Sequence, residues 1–433
     1  MLYNFRLFLI LLLLTGAGSY LDAQEPVRSA ALPSTPGTAT GVSAGPYQFY
    51  TRPSNVFFHV GPFQETLIGN LTTAYTDNVN LTATDKISNL SFSLGGSLNT
   101  TWVISHLNQL SLNVGGAVTE NLYGNGRNRV TFAIDPNSLL EFRFVLSDPD
   151  ISVRLYDQFS YTQNPTTDPT ATNTANLNSL TNTIGAVAAK NFGIVLFSLG
   201  ADYSYNNQSG QNSNGANTAG TTGTRQTFRV TPALTFALSP EILYGVNATA
   251  TRSSGLNEAN VNTLNFGPFM HGKLGKKLDF DLAAGGTLVS TTPAIPSNYY
   301  ATGALRYQLD PYLQFLLSGS HQLIFTTGTS LTEQNVVRIG SELGLTRFIS
   351  LKLSPFINFG NVVTTTANSG TTTGPYTQFG VEAGITWHPR RRWTAELTYD
   401  YIRRETGSSS GNSGTSSDNY IQNTLSLSLN YAF

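Results

Sequence analysis

The chain contains no cysteine. That excludes disulfide staples, thiolate metal sites and a lipid anchor on an N-terminal thiol. Charge is scarce too: Asp, Glu, Lys and Arg make up 11% of 433 residues, where a soluble protein carries about twice as much. With 24 basic against 25 acidic residues the net charge is -1, which leaves no basic surface for nucleic acid. Long apolar runs are also missing. Residues 7–14 are too few to cross a bilayer as a helix, and no later segment approaches the necessary length. Apolar residues nevertheless reach 40%, with a mean hydropathy of -0.10, the balance expected when every second residue is apolar.

What the chain does have is alternation. In residues 420–433, Ile421, Leu425, Leu427, Leu429, Tyr431 and Phe433 share one parity. Gln422, Thr424, Ser426, Ser428 and Asn430 take the other, with Ala432 the one apolar intruder. A strand shows successive side chains to opposite faces, so this is a ribbon with one apolar and one polar face. The unit recurs from Phe57 onward, for example at Leu90, Phe92, Leu94 and Leu98, at Val195, Phe197 and Leu199, and at Trp393, Leu397, Tyr399 and Tyr401. The fold class expected is all-β: a transmembrane antiparallel up-and-down β-barrel of about 18 strands, 16 being the nearest alternative. Segments 180–188, 242–250 and 264–274 carry the weakest alternation.

The connections sort by length. Short turns are expected at Asp148-Pro149-Asp150, Lys190–Gly193, Ser239-Pro240-Glu241, Lys276-Lys277, Asp310-Pro311 and His388-Pro389-Arg390. Long Asn/Gly/Ser/Thr-rich loops are expected between them, at residues 206–224, 361–374 and 404–418. Counting back from Phe433 puts all the short turns on one side, as in barrels with periplasmic turns and external loops. A β-sandwich would not sort its connections this way, and a parallel β-helix would use shorter, more regular strands.

Charge placement gives a second, independent reading. Arg143, Arg154, Arg229, Arg306, Arg338, Glu342, Lys352, Glu382, Glu396 and Asp400 all fall on the polar parity and are expected to face the lumen. Glu65 and Asp157 are exceptions, expected near strand ends. An Arg or Lys facing lipid at the midplane costs about 2–4 kcal/mol. The lumenal signs nearly balance, so strong ion selectivity is not expected. A carboxylate stripe at Glu382, Glu396 and Asp400 favours cations weakly, unless Lys352 and Arg338 pair with it. Aromatic residues gather toward strand ends, Tyr75, Tyr203 and Tyr299 beside loops and Tyr312, Trp387 and Tyr431 beside turns, as an interfacial girdle requires.

Three regions are expected. Residues 1–23 read as a cleaved export signal, with Arg6 before the apolar run and small residues at Gly16–Ser19. Residues 24–55 read as a flexible periplasmic segment. Residues 56–433 form the barrel.

The C-terminal ribbon resembles the closing strand of Gram-negative outer-membrane β-barrel proteins. That resemblance implies that Leu429, Tyr431 and Phe433 belong to a signal read by the barrel-assembly machinery. The stretch Ala74-Tyr75-Thr76-Asp77-Asn78-Val79 resembles the Tyr-x-Asp-Asn start of the type-two family of β-barrel porins, which implies an outer-membrane barrel, sometimes linked to envelope polysaccharide export.

Catalytic chemistry is hard to assemble from this sequence. Outer-membrane lipases and deacylases carry His and Ser on the lipid-facing wall. His321 has that parity, but Leu323 stands where their Ser would be and Ser320 points inward. Glu396 and Asp400 lack an opposing His for protease chemistry. His59, His106, His271, His321 and His388 are too scattered to ligate a metal. The expectation is therefore no enzyme, cofactor or metal. The function expected is a porin-like channel passing small hydrophilic solutes, embedded in outer-membrane lipids and of open oligomeric state. A polysaccharide export conduit and a closed structural or adhesive barrel are the alternatives.

Overall fold

The computed structural model describes residues 58–433 except 61, 127, 136–137, 147–150, 164–175, 212–222, 240, 256–259, 291–297, 326–330, 367–369, 391 and 407–418. The export signal, segment 24–55 and the Asp148-Pro149-Asp150 turn therefore lie wholly or in their core outside the described residues. Twenty strands follow one another: β1 (Phe58–Val60), β2 (Phe63–Thr76), β3 (Asn89–Val103), β4 (Asn108–Tyr123), β5 (Arg129–Ile134), β6 (Leu139–Val145), β7 (Ile151–Thr162), β8 (Asn176–Asn191), β9 (Val195–Gln211) and β10 (Gly223–Ser239). The second half comprises β11 (Ile242–Gly255), β12 (Val261–Leu274), β13 (Leu278–Ser290), β14 (Asn298–Asp310), β15 (Leu313–Phe325), β16 (Leu331–Thr346), β17 (Ile349–Thr366), β18 (Gly370–Arg390), β19 (Trp393–Thr406) and β20 (Tyr420–Ala432).

Each strand pairs antiparallel with its chain neighbours, and β20 returns to β2, Ile68 facing Ala432 and Thr76 facing Thr424. β1 is a short arm on the first residues of β2. β5 and β6 are two halves of one wall strand, because β4 pairs with β5 through residues 116–121 and with β6 through 108–113. The ring is thus a closed antiparallel barrel of 18 strands, as the alternation predicted. The three weakly patterned segments lie in β8, β11 and β12.

The wall is inverted relative to a soluble core. Leu94, Val118, Leu155, Ile184, Phe228, Leu317, Ile339 and Leu427 are exposed on the outside. Buried residues on the other parity are mostly small or amide-bearing: Asn70, Thr72, Thr231, Asn247, Ser354, Gln378 and Ser428. These groups satisfy one another across strands. Asn70 Nδ2 donates to Asn430 Oδ1 at 2.9 Å, Thr72 meets Ser428 at 3.0 Å, and Asn89 Nδ2 donates to Asn121 Oδ1 at 2.9 Å. Bonds of this kind contribute about 0.5–1.5 kcal/mol each.

The connections at the end that carries Phe433, called here the turn end, are all short. Three of them use one device. The side-chain oxygens of Ser239, Asp310 and Thr346 each accept two backbone N–H groups of the following turn, and each of these residues sits at a register shift. Such Asx- and ST-type turns with a bulge reverse the chain tightly without losing backbone bonds. Gly193 and Gly275 take positive φ in two further turns.

Two expectations need correction. Residues 361–374 are not a long loop: β17 continues to Thr366 and β18 begins at Gly370, paired throughout. Likewise β9 runs to Gln211 and β10 begins at Gly223, so 206–211 and 223–224 are strand, while 212–222 lie outside the described residues. Their Thr- and Asn-rich sequences lack a regular apolar alternation, but the backbone ladder forms regardless. The outward charges are also more numerous than expected. Besides Glu65 and Asp157, the latter in mid-strand of β7 and not near an end as expected, where Asn182 Nδ2 donates to it at 2.6 Å, the residues Glu120, Arg252, Glu333 and Arg403 share parity with the exposed apolar residues. All four lie within three residues of the loop end of their strands, where the cost of a charge falls to about 0–1 kcal/mol.

Candidate functional site

Every one of the ten charged residues assigned to the lumen from sequence lies on the parity opposite the exposed apolar residues. Six of them fall into three ion-paired groups rather than a continuous stripe. On β6 and β7, Glu141 sits between Arg143 and Arg154, in contact with both. On β9 and β10, Arg229 grips Asp202 through two nitrogens at 2.9 and 3.0 Å. On β16 to β18, buried Glu382 receives Lys352 Nζ at 2.9 Å and Arg338 Nη1 at 3.7 Å. Glu382 is therefore claimed by two cations, one from the adjacent strand β17 and one from β16 beyond it, and the stripe with Glu396 and Asp400 is not a bare acidic surface. Glu342 accepts from Gln314 at 2.6 Å, and Arg306 is exposed.

The wall is solvated at these charges. The side chains of Arg143, Arg229, Lys273 and Lys352 are 44–65% exposed, on the parity opposite the exposed apolar residues. Lys273, Asp279 and Asp281 share this parity. Lys273 pairs with Asp279 at 3.7 Å and His271 with Asp281 at 3.6 Å, directly opposite one another in register.

One feature escaped the sequence reading: the loop between β2 and β3 folds inward. Asn78, Val79, Asn80 and Leu81 are buried, Asn78 and Leu81 to 0% and 1% exposure. Leu81 clusters with Phe356, Ile402 and Tyr420, which are interior residues of β17, β19 and β20. Asn78 Nδ2 donates to the Ile421 carbonyl at 2.9 Å, and Gln422 Nε2 donates to the Asn78 carbonyl at 2.9 Å. Asp77 accepts the backbone N–H of Asn423 at 2.7 Å and its Nδ2 at 2.6 Å. Within the loop, Asn80 accepts Ile87 N–H at 2.9 Å and donates to the Asp85 carbonyl at 3.0 Å. The Asp77-Asn78 pair of the Tyr-x-Asp-Asn stretch is thus the hinge that turns the chain inward. Leu81 and Asp85 hold φ near +53° and +52°, left-handed conformations that a non-glycine residue keeps only where its surroundings enforce it. The available signal was Val79, Leu81 and Ile87, three large apolar residues in a loop otherwise polar but for Ala83.

Around the rest of the ring, aromatic rings lie flat on the wall over glycines. Tyr300 would meet a Cβ at Gly285 at 2.6 Å, and its hydroxyl donates to Asn247 Oδ1 at 3.2 Å.

His321 lies on the outer face, as its parity required, but it is buried under Tyr299, whose ring stacks at 4.0 Å. Its Nδ1 is 2.7 Å from Asn335 Oδ1, and its Nε2 lies 4.0 Å from Glu333. Asn361 donates to Glu333 at 3.2 Å. This is a closed polar cluster at the loop end, and Leu323 occupies the next outward position. Among the described residues, no three His, Asp or Glu side chains are grouped to hold a metal.

No family model matches the chain, and no curated protein matches it. Its structure is similar to that of Acinetobacter baumannii OccAB3, with 11% identity, 86% of this chain and 100% of that chain covered, and a TM-score of 0.46. It is similar to Pseudomonas aeruginosa OccK5 (OpdH), with 10% identity, coverages of 86% and 98%, and a TM-score of 0.45. It is similar to the ferric enterobactin receptor PfeA of Pseudomonas aeruginosa, with 9% identity, coverages of 85% and 80%, and a TM-score of 0.44.

Proposed function

We propose that the protein is an outer-membrane channel through which small hydrophilic solutes diffuse passively. The observation that carries this reading is the two-sided wall: large apolar side chains exposed around the outside, charged side chains solvated within the ring. An outer face of that kind is stable in hydrocarbon, where a closed barrel leaves no backbone group unpaired. A ring of 18 strands is wide enough for an aqueous path, since barrels of roughly 16–18 strands leave one. Balanced ion-paired charges favour general polar solutes over one ion sign.

In this reading the turn end faces the periplasm and the loop end the exterior. Leu429, Tyr431 and Phe433 serve as the assembly signal, on a terminal aromatic group in which Tyr431 lies 4.8 Å from Trp393 and 5.0 Å from Phe433. The clustered outward charges at the loop end meet lipid headgroups rather than acyl chains. The inward loop favours a second reading, a closed barrel without transport. The exposed lumenal charges of β6, β10, β12 and β17 weigh against it. Purified protein in planar bilayers decides between them: stepwise ohmic conductance supports the channel, and silence from correctly folded barrels refutes it.

A further inference from the structure

We propose that loop 77–88 is the selectivity constriction of the pore, a strap fixed to the wall of β17–β20 that sets the largest solute admitted. The inference rests on the channel reading. Two independent sets of contacts hold the loop inside. On the seam, Asp77 and Asn78 bond to the backbone and side chains of Asn423, Ile421 and Gln422. Deeper, Leu81 is buried against side chains from three strands, β17, β19 and β20. Residues 78–81, the first part of the loop, are its driest stretch, buried between the seam and the wall.

The loop is also built to keep its shape. The Asn80 side chain braces residues 85 and 87, and Val79 N–H donates to the Ile87 carbonyl at 2.8 Å. The buried half therefore faces the wall, while residues 83–86, with Asp85 and Lys86, remain exposed. That exposed edge carries one charge of each sign, so it narrows the path without selecting an ion. Selection by size follows, with small neutral polar solutes as the class favoured over larger ones of the same chemistry.

The test compares wild type with two variants: Asp77→Ala/Leu81→Ser, which releases the strap, and a deletion of residues 83–86, which trims its exposed edge. Folding is checked by resistance of the barrel to unfolding in detergent gels. Single-channel conductance in KCl and liposome swelling with sugars of increasing size are then read. The expected result is a conductance gain of about twofold or more in both variants, with a higher sugar-size limit, because the narrowest section dominates the resistance. Conducting wild type with unchanged folded variants overturns the constriction and leaves the channel standing. Silent wild type with conducting variants upholds the loop's narrowing role and overturns passive diffusion in the native protein. Silence from all three folded barrels overturns both.

Discussion

The ring of Phe356 fills the space over Gly380, its partner in the register between β17 and β18. Phe356 in turn carries Leu81 on the lumen side, and the Arg338 guanidinium stands 5.2 Å from its ring centroid. A side chain at position 380 would push the ring off the wall and disturb both. Gly380→Val should therefore destabilise the barrel by about 1–3 kcal/mol, the usual range for overpacking. Urea unfolding in lipid vesicles measures it, and limited proteolysis of loop 77–88 should become faster in the same variant.

Glu382 is the shared counter-charge of Arg338 and Lys352. Glu382→Gln leaves two cations facing one another without it, in a site where removing one partner of a buried pair costs on the order of 3 kcal/mol. The variant should unfold at lower urea, and its reversal potential in a KCl gradient should shift toward anion preference. An unchanged reversal potential would place this cluster away from the conducting path.

The depth dependence of charge on the outer wall can be measured directly. Leu317, midway along β15 and exposed, should tolerate Arg poorly, with a loss of about 2–4 kcal/mol. Val130 lies near the loop end of β5, opposite Glu120. Val130→Arg there should cost no more than about 1 kcal/mol. Equal losses at the two sites would contradict the placement of the bilayer.

Phe433 donates its backbone N–H to Leu67 and packs edge-on to Tyr431. Phe433→Ala should lower the amount of barrel reaching the outer membrane severalfold in cells. Refolded in vitro, the same variant should lie within about 1 kcal/mol of wild type, as surface truncations usually do. A large loss in vitro would assign Phe433 to stability and not to assembly.

The wall was readable in the sequence because it separates two solvents, and a strand between them must alternate. β20 shows this plainly, and even the faint alternation of β11 and β12 marked real strands. Depth along the strand was not readable, since parity says nothing of it; hence Arg252 and Arg403 stood unremarked until their height was known. The ladders of residues 361–374 lie where both faces are polar, so their composition reads as loop. The inward strap was concealed for another reason. Asn78 and Asn80 are ordinary turn residues by type, and only their bonds to residues from Thr82 to Ile87 and to Ile421 show that they organise a buried unit.

The seam between β2 and β20 joins residues 348 to 360 positions apart, stitched inside the ring by Asn70 with Asn430, Thr72 with Ser428 and Thr76 with Thr424. All other neighbouring wall strands are local in the chain and can zip up in order. This one junction has to wait until both ends of the chain are present, and a one-residue slip there would turn its polar row outward. The strap begins at the last of these stitches, at Asp77. Closing the ring and seating the strap are therefore a single event: the molecule acquires its narrow passage only at the moment it stops being an open sheet.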